Sequence, residues 1–132
     1  MLSTDLILGN TSIFIFTWTG FLIPALAIGK IFYDRKLPLP RKALLGTAAG
    51  VGSNLFFYFW TNFGVWATDS WDMYSNNLSG LVNSYINGLP FLKLQLTSTL
   101  YFVPLGFLIT YFLQIVSETP FWRFTSRASI NK

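Results

Sequence analysis

The sequence predicts an all-α membrane protein with three transmembrane helices and a short amphipathic interfacial helix between the second and third. Charged residues make up 11% of the chain and apolar residues 52%, whereas a soluble domain carries about 25% charged residues. Three apolar segments are each long enough to cross a bilayer core, which takes about 20 helical residues. We therefore expect the 132 residues to form a single membrane domain.

The first transmembrane helix is predicted at about residues 13–32. Lys30, near its end, is the only charged residue in this segment. Pro24 lies inside it and is expected to bend the helix, because its ring removes one backbone hydrogen-bond donor. The next segment, 33–42, reads YDRKLPLPRK. Its two prolines and five ionised groups predict a basic loop.

The second transmembrane helix is predicted at about residues 43–65, and the third at about 94–116 with Pro104 inside it. Between them, an amphipathic helix is predicted at about 76–88, because its apolar residues recur at helical spacing while its polar residues fall elsewhere on the helix. Those apolar residues are Leu78, Leu81, Val82, Tyr85 and Ile86. This helix is expected to lie at the membrane surface or to pack back among the spans.

Residues around the amphipathic segment predict where its helix begins and ends. Ser75, Asn76 and Asn77 are polar residues that can cap a helix start. Gly88, followed by Pro90, is expected to end it.

The distribution of basic residues predicts the orientation. With three spans, the 33–42 loop and the C-terminal tail lie on one side, which is the cytoplasmic or stromal side by the positive-inside rule. Eight basic residues fall there: Lys30, Arg35, Lys36, Arg41, Lys42, Arg123, Arg127 and Lys132, together with Asp34 and Glu118. The other side holds Asp5, Asp69, Asp72 and Lys93.

The composition argues against enzymatic chemistry, because two residue types common in active sites are missing. The chain has no cysteine and no histidine, so thiolate chemistry is excluded and the commonest general base and metal ligand are both missing. We therefore expect a protein that is not an enzyme and has no protein-only metal site. The net charge of +4 is explained by topology signals and contacts to anionic lipid, without a nucleic-acid partner.

Small residues along the start of the second span predict a helix-packing surface. Gly46 and Gly50 have the small-xxx-small spacing, and Ser53 continues the same face. Such residues let another helix approach closely in lipid, where no hydrophobic force drives helices together. The partner is either another helix of this chain or another subunit.

Polar residues within the spans are candidate contacts for a pigment or a solute. Asn54 and Asn62 are eight residues apart and are expected to lie on roughly one face of the second span. They hydrogen-bond a neighbouring helix, line a solute pocket with Tyr58, Tyr85 and Asn87, or supply oxygen to a chlorophyll magnesium. The full set of candidate contacts is Asn54, Tyr58, Asn62, Gln95, Gln114 and Glu118.

The stretch SNLFFYFWTNFGVW at residues 53–66 is followed by MYSNNLSGLVNSYINGLPFLKLQLTSTLYF. Over roughly residues 50–105, the order TNFGVW, MY, a GL-containing helix and GLPF resembles a family of small bacterial and algal membrane proteins known only as a domain of unknown function. Some members look similar to the membrane-embedded, substrate-binding components of vitamin importers. The resemblance implies an integral membrane protein, and the likeness to importer components implies a solute site.

Two functional hypotheses follow, with a membrane enzyme as a distant third. The first is an accessory subunit of a larger membrane complex that contacts other membrane subunits and lipid. In its narrower form this is a peripheral photosystem–antenna subunit, for example of photosystem I in a thylakoid, in contact with chlorophyll a and carotenoid through the aromatic residues Phe56–Phe59. The second is a small-solute-binding component of a transporter.

Overall fold

The computed structural model describes residues 12–33, 37–68 and 72–118, and in these the protein is helical, with no strand. Three helices follow in chain order: α1 (Phe14–Tyr33), α2 (Leu39–Thr68) and α3 (Leu78–Glu118). Helix α2 lies between the other two and packs against both. The prediction of an all-helical protein is confirmed.

Helix α1 agrees with the predicted first span to within a residue at each end. It continues through Pro24, and the hydroxyls of Thr17 and Thr19 donate hydrogen bonds to the carbonyls of Ile13 and Ile15. These bonds satisfy two polar side chains within the helix itself, which is the arrangement that an apolar environment requires.

Helix α2 begins at Leu39, inside the segment predicted to be a basic loop, so the predicted start at residue 43 is wrong by one turn. The backbone N–H of Lys42 donates to the carbonyl of Pro38 at 3.0 Å. Pro40 is compatible with this position because the first-turn N–H groups have no partner within the helix. Arg41 therefore belongs to the first turn of α2 and not to the loop.

The largest correction concerns the predicted interfacial helix. Residues 78–88 are not a separate element but the first part of α3, which runs for 41 residues through Gly88, Pro90 and Pro104. Pro90 removes a single hydrogen bond, to the carbonyl of Ile86, and packing along α2 keeps the helix continuous. The predicted cap is confirmed, because the side-chain oxygen of Asn77 accepts a 2.9 Å hydrogen bond from the N–H of Gly80.

Helices α2 and α3 run antiparallel over most of their length. Asn54 contacts Thr99, and twelve residues further along α2 the indole of Trp66 donates to the carbonyl of Ser75. The first part of α3, residues 78–88, therefore packs along the C-terminal half of α2. The segment packs against another helix of the chain, as one of its two predicted locations requires, and its position relative to a membrane stays a prediction.

The three helices enclose little of a core. Among the described residues, the only buried side chains larger than glycine are Tyr58 and Ser84. Every large apolar side chain from Leu108 to Val116 is exposed, although monomeric soluble proteins seldom expose apolar patches above a few hundred Å². The outer surface of α1 and α3 is therefore apolar.

Within the described residues, α3 is the one helix that is both long and apolar enough to cross a membrane, over Leu78–Ser117. The apolar part of α1, Phe14–Lys30, is shorter. Length and composition thus support one span directly, and the count of three spans stays a prediction.

Candidate functional site

A cleft of about 250 Å³ opens between α2 and α3. Antiparallel packing brings three of the predicted contact residues, Tyr58, Asn62 and Gln95, to its wall. The complete lining is Phe57, Tyr58, Thr61, Asn62, Gly88, Phe91, Leu92 and Gln95. The cleft therefore combines aromatic walls with two amides.

Asn62 is held in place by its own helix and by α3. Its amide nitrogen donates to the carbonyl of Tyr58 at 2.8 Å, and its backbone carbonyl accepts a 3.2 Å bond from the hydroxyl of buried Ser84. A β-carbon added at Gly88 would lie 2.6 Å from the side-chain oxygen of Asn62. The glycine therefore makes room for the amide, and within the described residues this oxygen accepts no hydrogen bond beside the cleft.

Gln95 is half-buried, and its side-chain amide has no hydrogen-bond partner in the part of the chain that the structure describes. Its backbone carbonyl accepts from Asn54. An unpaired amide that lines a cleft supplies both a donor and an acceptor to a bound molecule.

Tyr58 and Tyr85 each donate one hydrogen bond between α2 and α3 beside one wall of the cleft. The hydroxyl of Tyr58 donates to the carbonyl of Tyr85 at 2.6 Å, and the hydroxyl of Tyr85 donates to the carbonyl of Phe59 at 3.4 Å. The two rings lie 5.8 Å apart. Because both hydroxyls are engaged between the helices, these tyrosines hold the wall in place.

Asn54 lies outside the cleft lining and links the two helices. Its amide nitrogen donates to the hydroxyl of Thr99 at 2.7 Å and to the carbonyl of Gln95 at 3.1 Å. Inter-helix hydrogen bonds of this kind each contribute about 0.6 kcal/mol on average in membrane proteins. The contacts are those of a residue that fixes the register of α2 against α3.

The small-residue face of α2 meets α3. A β-carbon at Gly46 would lie 2.7 Å from the ring of Phe107, and one at Gly50 would lie 2.7 Å from the methyl group of Thr99. Ser53 donates its hydroxyl to the carbonyl of Ala49 at 2.8 Å. Gly46 and Gly50 thus contact a helix of the same chain, and a role for this face in binding another subunit stays a prediction.

Other predicted contact residues lie away from the cleft. Gln114 is exposed and follows Gln95 by about 28 Å along the helix, and the side chain of Glu118 is outside the described part. Asn87 donates to the hydroxyl of Tyr74 at 3.2 Å and does not line the cleft. The structure therefore does not gather the predicted set into one site.

The aromatic stretch of α2 also joins α1. The rings of Phe57 and Phe21 lie 4.5 Å apart, and those of Trp60 and Phe16 lie 5.1 Å apart. The indole of Trp60 donates to the hydroxyl of Thr19 at 2.7 Å. Much of this aromatic surface is therefore engaged between helices, whereas Phe59 is 55% exposed.

The cleft is small. Pockets for drug-sized ligands measure about 300–1,000 Å³, whereas this cleft measures about 250 Å³. Among the described residues, no group of three histidine, cysteine, aspartate or glutamate side chains could hold a metal ion. Pigment contact at the outer surfaces of α1 and α3 stays a prediction.

Sequence reasoning missed three residues of this interface: Ser84, Gly88 and Thr99. The local sequence predicts a helix end at Gly88, because glycine shortly before proline is typical of a helix C-terminus. The small-residue pattern of α2 is the signal that could have found its counterparts in α3, since closely packed helices place small residues on both faces.

Comparison with known proteins gives one relationship. Residues 1–121 match the model of a family of unknown function, DUF6580. No curated protein and no solved structure matches the chain. The match confirms the prediction of a family without an assigned function, and it extends beyond the 50–105 segment on which that prediction depended.

Proposed function

The chain belongs to DUF6580, a family of unknown function, and we propose that it is a non-enzymatic accessory subunit of a larger membrane complex that crosses the membrane three times. One observation carries the proposal: the described helices bury almost no apolar side chain and expose most of them. In lipid this exposure has no cost, because acyl chains are as apolar as leucine. In water it would require a covering partner on every side.

The end of α3 illustrates the argument. From Leu108 to Val116 the exposed apolar side chains include Leu108, Tyr111 and Leu113, which spread over about 200° of the helix circumference at 3.6 residues per turn. A single protein partner on one side would leave the others in water. Surrounding hydrocarbon covers them all.

A membrane position for α2 is supported by its polar side chains, because those between residues 43 and 65 all make hydrogen bonds within the protein. An unsatisfied polar group in hydrocarbon costs several kcal/mol, and these bonds remove that cost. The residues concerned are Thr47, Ser53, Asn54, Tyr58, Trp60, Thr61 and Asn62. A hydropathy average counts these side chains as polar although each is hydrogen-bonded, so it gives too low a value for a helix of this kind.

We place the basic side of the protein in the cytoplasm or stroma. Lys30, Arg41 and Lys42 lie at the adjoining ends of α1 and α2, and Asp72 lies at the opposite end of α2. Arg123, Arg127 and the other basic residues of the tail lie outside the described residues. Protease added from the basic side should cut near Arg127, and protection there would contradict this orientation.

The accessory role is tested by migration in mild detergent. We expect the chain to migrate on a native gel in a complex much larger than its own 15.0 kDa. Leu22→Trp adds bulk to the exposed outer face of α1, and Leu108→Trp adds the same bulk to α3. Lipid accommodates either change, so loss of the complex in one variant assigns the partner contact to that flank. A wild-type chain that migrates alone contradicts the proposal.

The narrower photosynthetic form of the proposal, with chlorophyll a and carotenoid at the flanks in a thylakoid, is supported by aromatic content alone. Exposed aromatic side chains such as Phe91, Phe102 and Phe112 offer flat apolar contact surfaces. Absorbance of the gently purified complex tests it directly. A colourless complex contradicts the photosynthetic form and leaves the accessory role standing.

The cleft supports a second candidate function, the binding of a small polar solute as part of a transporter. The observation that favours it is that the side-chain amide of Gln95 and the side-chain oxygen of Asn62 line one cleft and accept or donate no hydrogen bond to each other or to any other described residue. Buried or half-buried polar groups are normally hydrogen-bonded, so unpaired groups in one cleft suggest a ligand or water.

Thermal stabilisation by small polar solutes measures this second function. Asn62→Leu and Gln95→Leu should each abolish the stabilisation while the chain still migrates normally on a native gel. Gln114→Leu is the matched control, because it removes an exposed amide from the same helix away from the cleft. Equal loss in the control would contradict a solute site in the cleft.

A further inference from the structure

The packing of α3 against α2 sets the depth of Lys93. Asn54 is the central residue of the α2 segment 43–65, which is proposed above to lie in hydrocarbon, and its amide donates to the carbonyl of Gln95 at 3.1 Å. Lys93 precedes Gln95 by two residues, which is about 3 Å of helical rise. Lys93 is therefore close in level to the middle of that segment, and not at the acidic surface where the sequence alone predicts it.

A second contact limits the level of Lys93 from the other direction. A β-carbon at Gly88 would lie 2.6 Å from the side-chain oxygen of Asn62. Lys93 lies between Gly88 and Gln95, so its level on α2 falls between Asn62 and Asn54. From that level to residue 65, α2 rises roughly 12 Å, which is further than the four-carbon stem of a lysine can carry its ammonium group.

Lys93 is the cation of an otherwise apolar groove on the outer side of α3. It is exposed and makes no ion pair with any described residue. The groove has a volume of about 710 Å³. Thr99 and Val103, which face α2, are not part of its lining, so the groove opens away from the rest of the protein. Besides Lys93, the lining includes Ile86, Leu89, Pro90, Leu96 and Leu100.

The helices of this chain offer no carboxylate at the level of Lys93. The sequence has no aspartate or glutamate within residues 6–33, 35–68 and 73–117. The other polar side chain of the groove is already satisfied, because the hydroxyl of Thr97 donates to the carbonyl of Lys93 at 2.8 Å. Ionisable side chains within a membrane are costly, and they nearly always face a protein interior or pair with one another. Lys93 therefore requires a partner from outside the described helices.

We propose that this groove docks a transmembrane helix of a different subunit, and that an aspartate or glutamate carboxylate of that helix pairs with the ammonium group of Lys93. The proposal rests on the membrane-spanning accessory role proposed above and assigns one of its contacts. The apolar lining fits the side chains of a helix in hydrocarbon. The single cation selects a partner with a carboxylate, because charge-assisted hydrogen bonds are strongest where water is excluded.

The charge also distinguishes this partner from a second copy and from lipid. A two-fold contact between two such grooves would place Lys93 against Lys93. Acyl chains would cover the leucines of the groove but would leave its cation unpaired. The groove on the outer face of α1, of about 690 Å³, has no cation in its lining, so acyl chains alone suit that surface.

Variants of Lys93 test the pairing through migration of the native complex in mild detergent. Lys93→Leu should weaken association about thirtyfold over a dilution series, because the partner's carboxylate stays unpaired in hydrocarbon. Lys93→Arg keeps the charge and should keep the complex. Lys42→Leu is the matched control, since it removes a lysine from the first turn of α2. Far-ultraviolet circular dichroism of each purified variant checks that its helix content is unchanged.

Photocrosslinking in the native membrane identifies the partner helix. A benzophenone amino acid replaces Leu100, which lines the groove and is 56% exposed, and mass spectrometry then identifies the crosslinked peptide. We expect an apolar segment of another protein that contains an aspartate or glutamate. Lys93→Glu should release the partner, and replacement of the partner's carboxylate by lysine in the same cells should restore the complex.

The outcomes separate this docking site from the accessory role. If the wild-type chain migrates alone, the accessory role is wrong, and the docking site with it. If the wild type migrates in a complex and Lys93→Leu remains in it at the wild-type level, only the docking site is overturned. Crosslinks to lipid alone, to a second copy or to a segment without a carboxylate likewise overturn it, as does a charge exchange that restores nothing.

Discussion

Alanine at Gly50 provides a sharp test of the packing between α2 and α3. A β-carbon there would lie 2.7 Å from the methyl group of Thr99, well inside ordinary van der Waals contact. Thr99 is not free to rotate away, because its hydroxyl accepts the 2.7 Å hydrogen bond from Asn54. The helices must therefore separate, or this hydrogen bond must break.

The magnitude follows from two opposing terms. Overpacking of a tight contact costs about 1–3 kcal/mol, while alanine in place of glycine within a helix stabilises by about 0.5–1 kcal/mol. We expect Gly50→Ala to lower the free energy of unfolding by up to about 2 kcal/mol. Gly52→Ala is the matched control, because no atom lies within 4 Å of its added carbon, and only the stabilising term applies.

Gly46→Ala should fall between these two variants. Its added carbon would meet the far end of the Phe107 ring at 2.7 Å, and a ring edge can move more easily than a hydrogen-bonded threonine. Reversible unfolding in mixed micelles, followed by far-ultraviolet circular dichroism, measures all three variants. If Gly50→Ala is as stable as Gly52→Ala, the small-residue face does not pack on α3, and contact with another subunit becomes the better explanation.

Three further predictions concern the same interfaces. Asn54→Leu and Thr99→Val should be coupled by about 0.6–1.7 kcal/mol in a double-mutant cycle of unfolding free energies, and simple additivity would contradict the hydrogen bond. Gly88→Ala should lower the unfolding temperature, since the new methyl group meets Asn62; failure of Asn62→Ala to relieve that loss would argue against the clash. Trp60→Phe removes the hydrogen bond to Thr19 of α1, at a cost of about 0.5–1.5 kcal/mol. Amide hydrogen exchange should then accelerate in α1 more than in α3. Equal acceleration in both helices would contradict a role of Trp60 in holding α1.

Much of the fold could be predicted because helix formation depends on local properties. Long apolar runs flanked by charge predicted α1 and α2 with small errors at their ends. The cap at Asn77 was equally predictable, because capping involves residues only three apart. The error at Gly88 and Pro90 has a clear cause: their local meaning is a helix end, and contact with α2 overrides it.

The candidate site was less predictable, because its residues are distant in sequence. Asn54 and Asn62 were singled out as polar residues in an apolar helix, yet nothing local distinguished the one that joins two helices from the one that lines a cleft. The sequence offers Gln95 as a polar residue in an apolar helix but does not show what it faces. Its place opposite Asn62 depends on the antiparallel register of α2 and α3.

The sequence by itself determined that this protein is helical and apolar and that it lacks the residues for thiol or imidazole chemistry, because these properties depend on composition and short-range spacing. Only the tertiary structure decided that residues 78–118 form one helix and that Gly46 and Gly50 face it. It also decided which amides remain unpaired. The physical reason is that a glycine or an amide acquires its role from the side chain opposite, and the register of two packed helices selects that side chain.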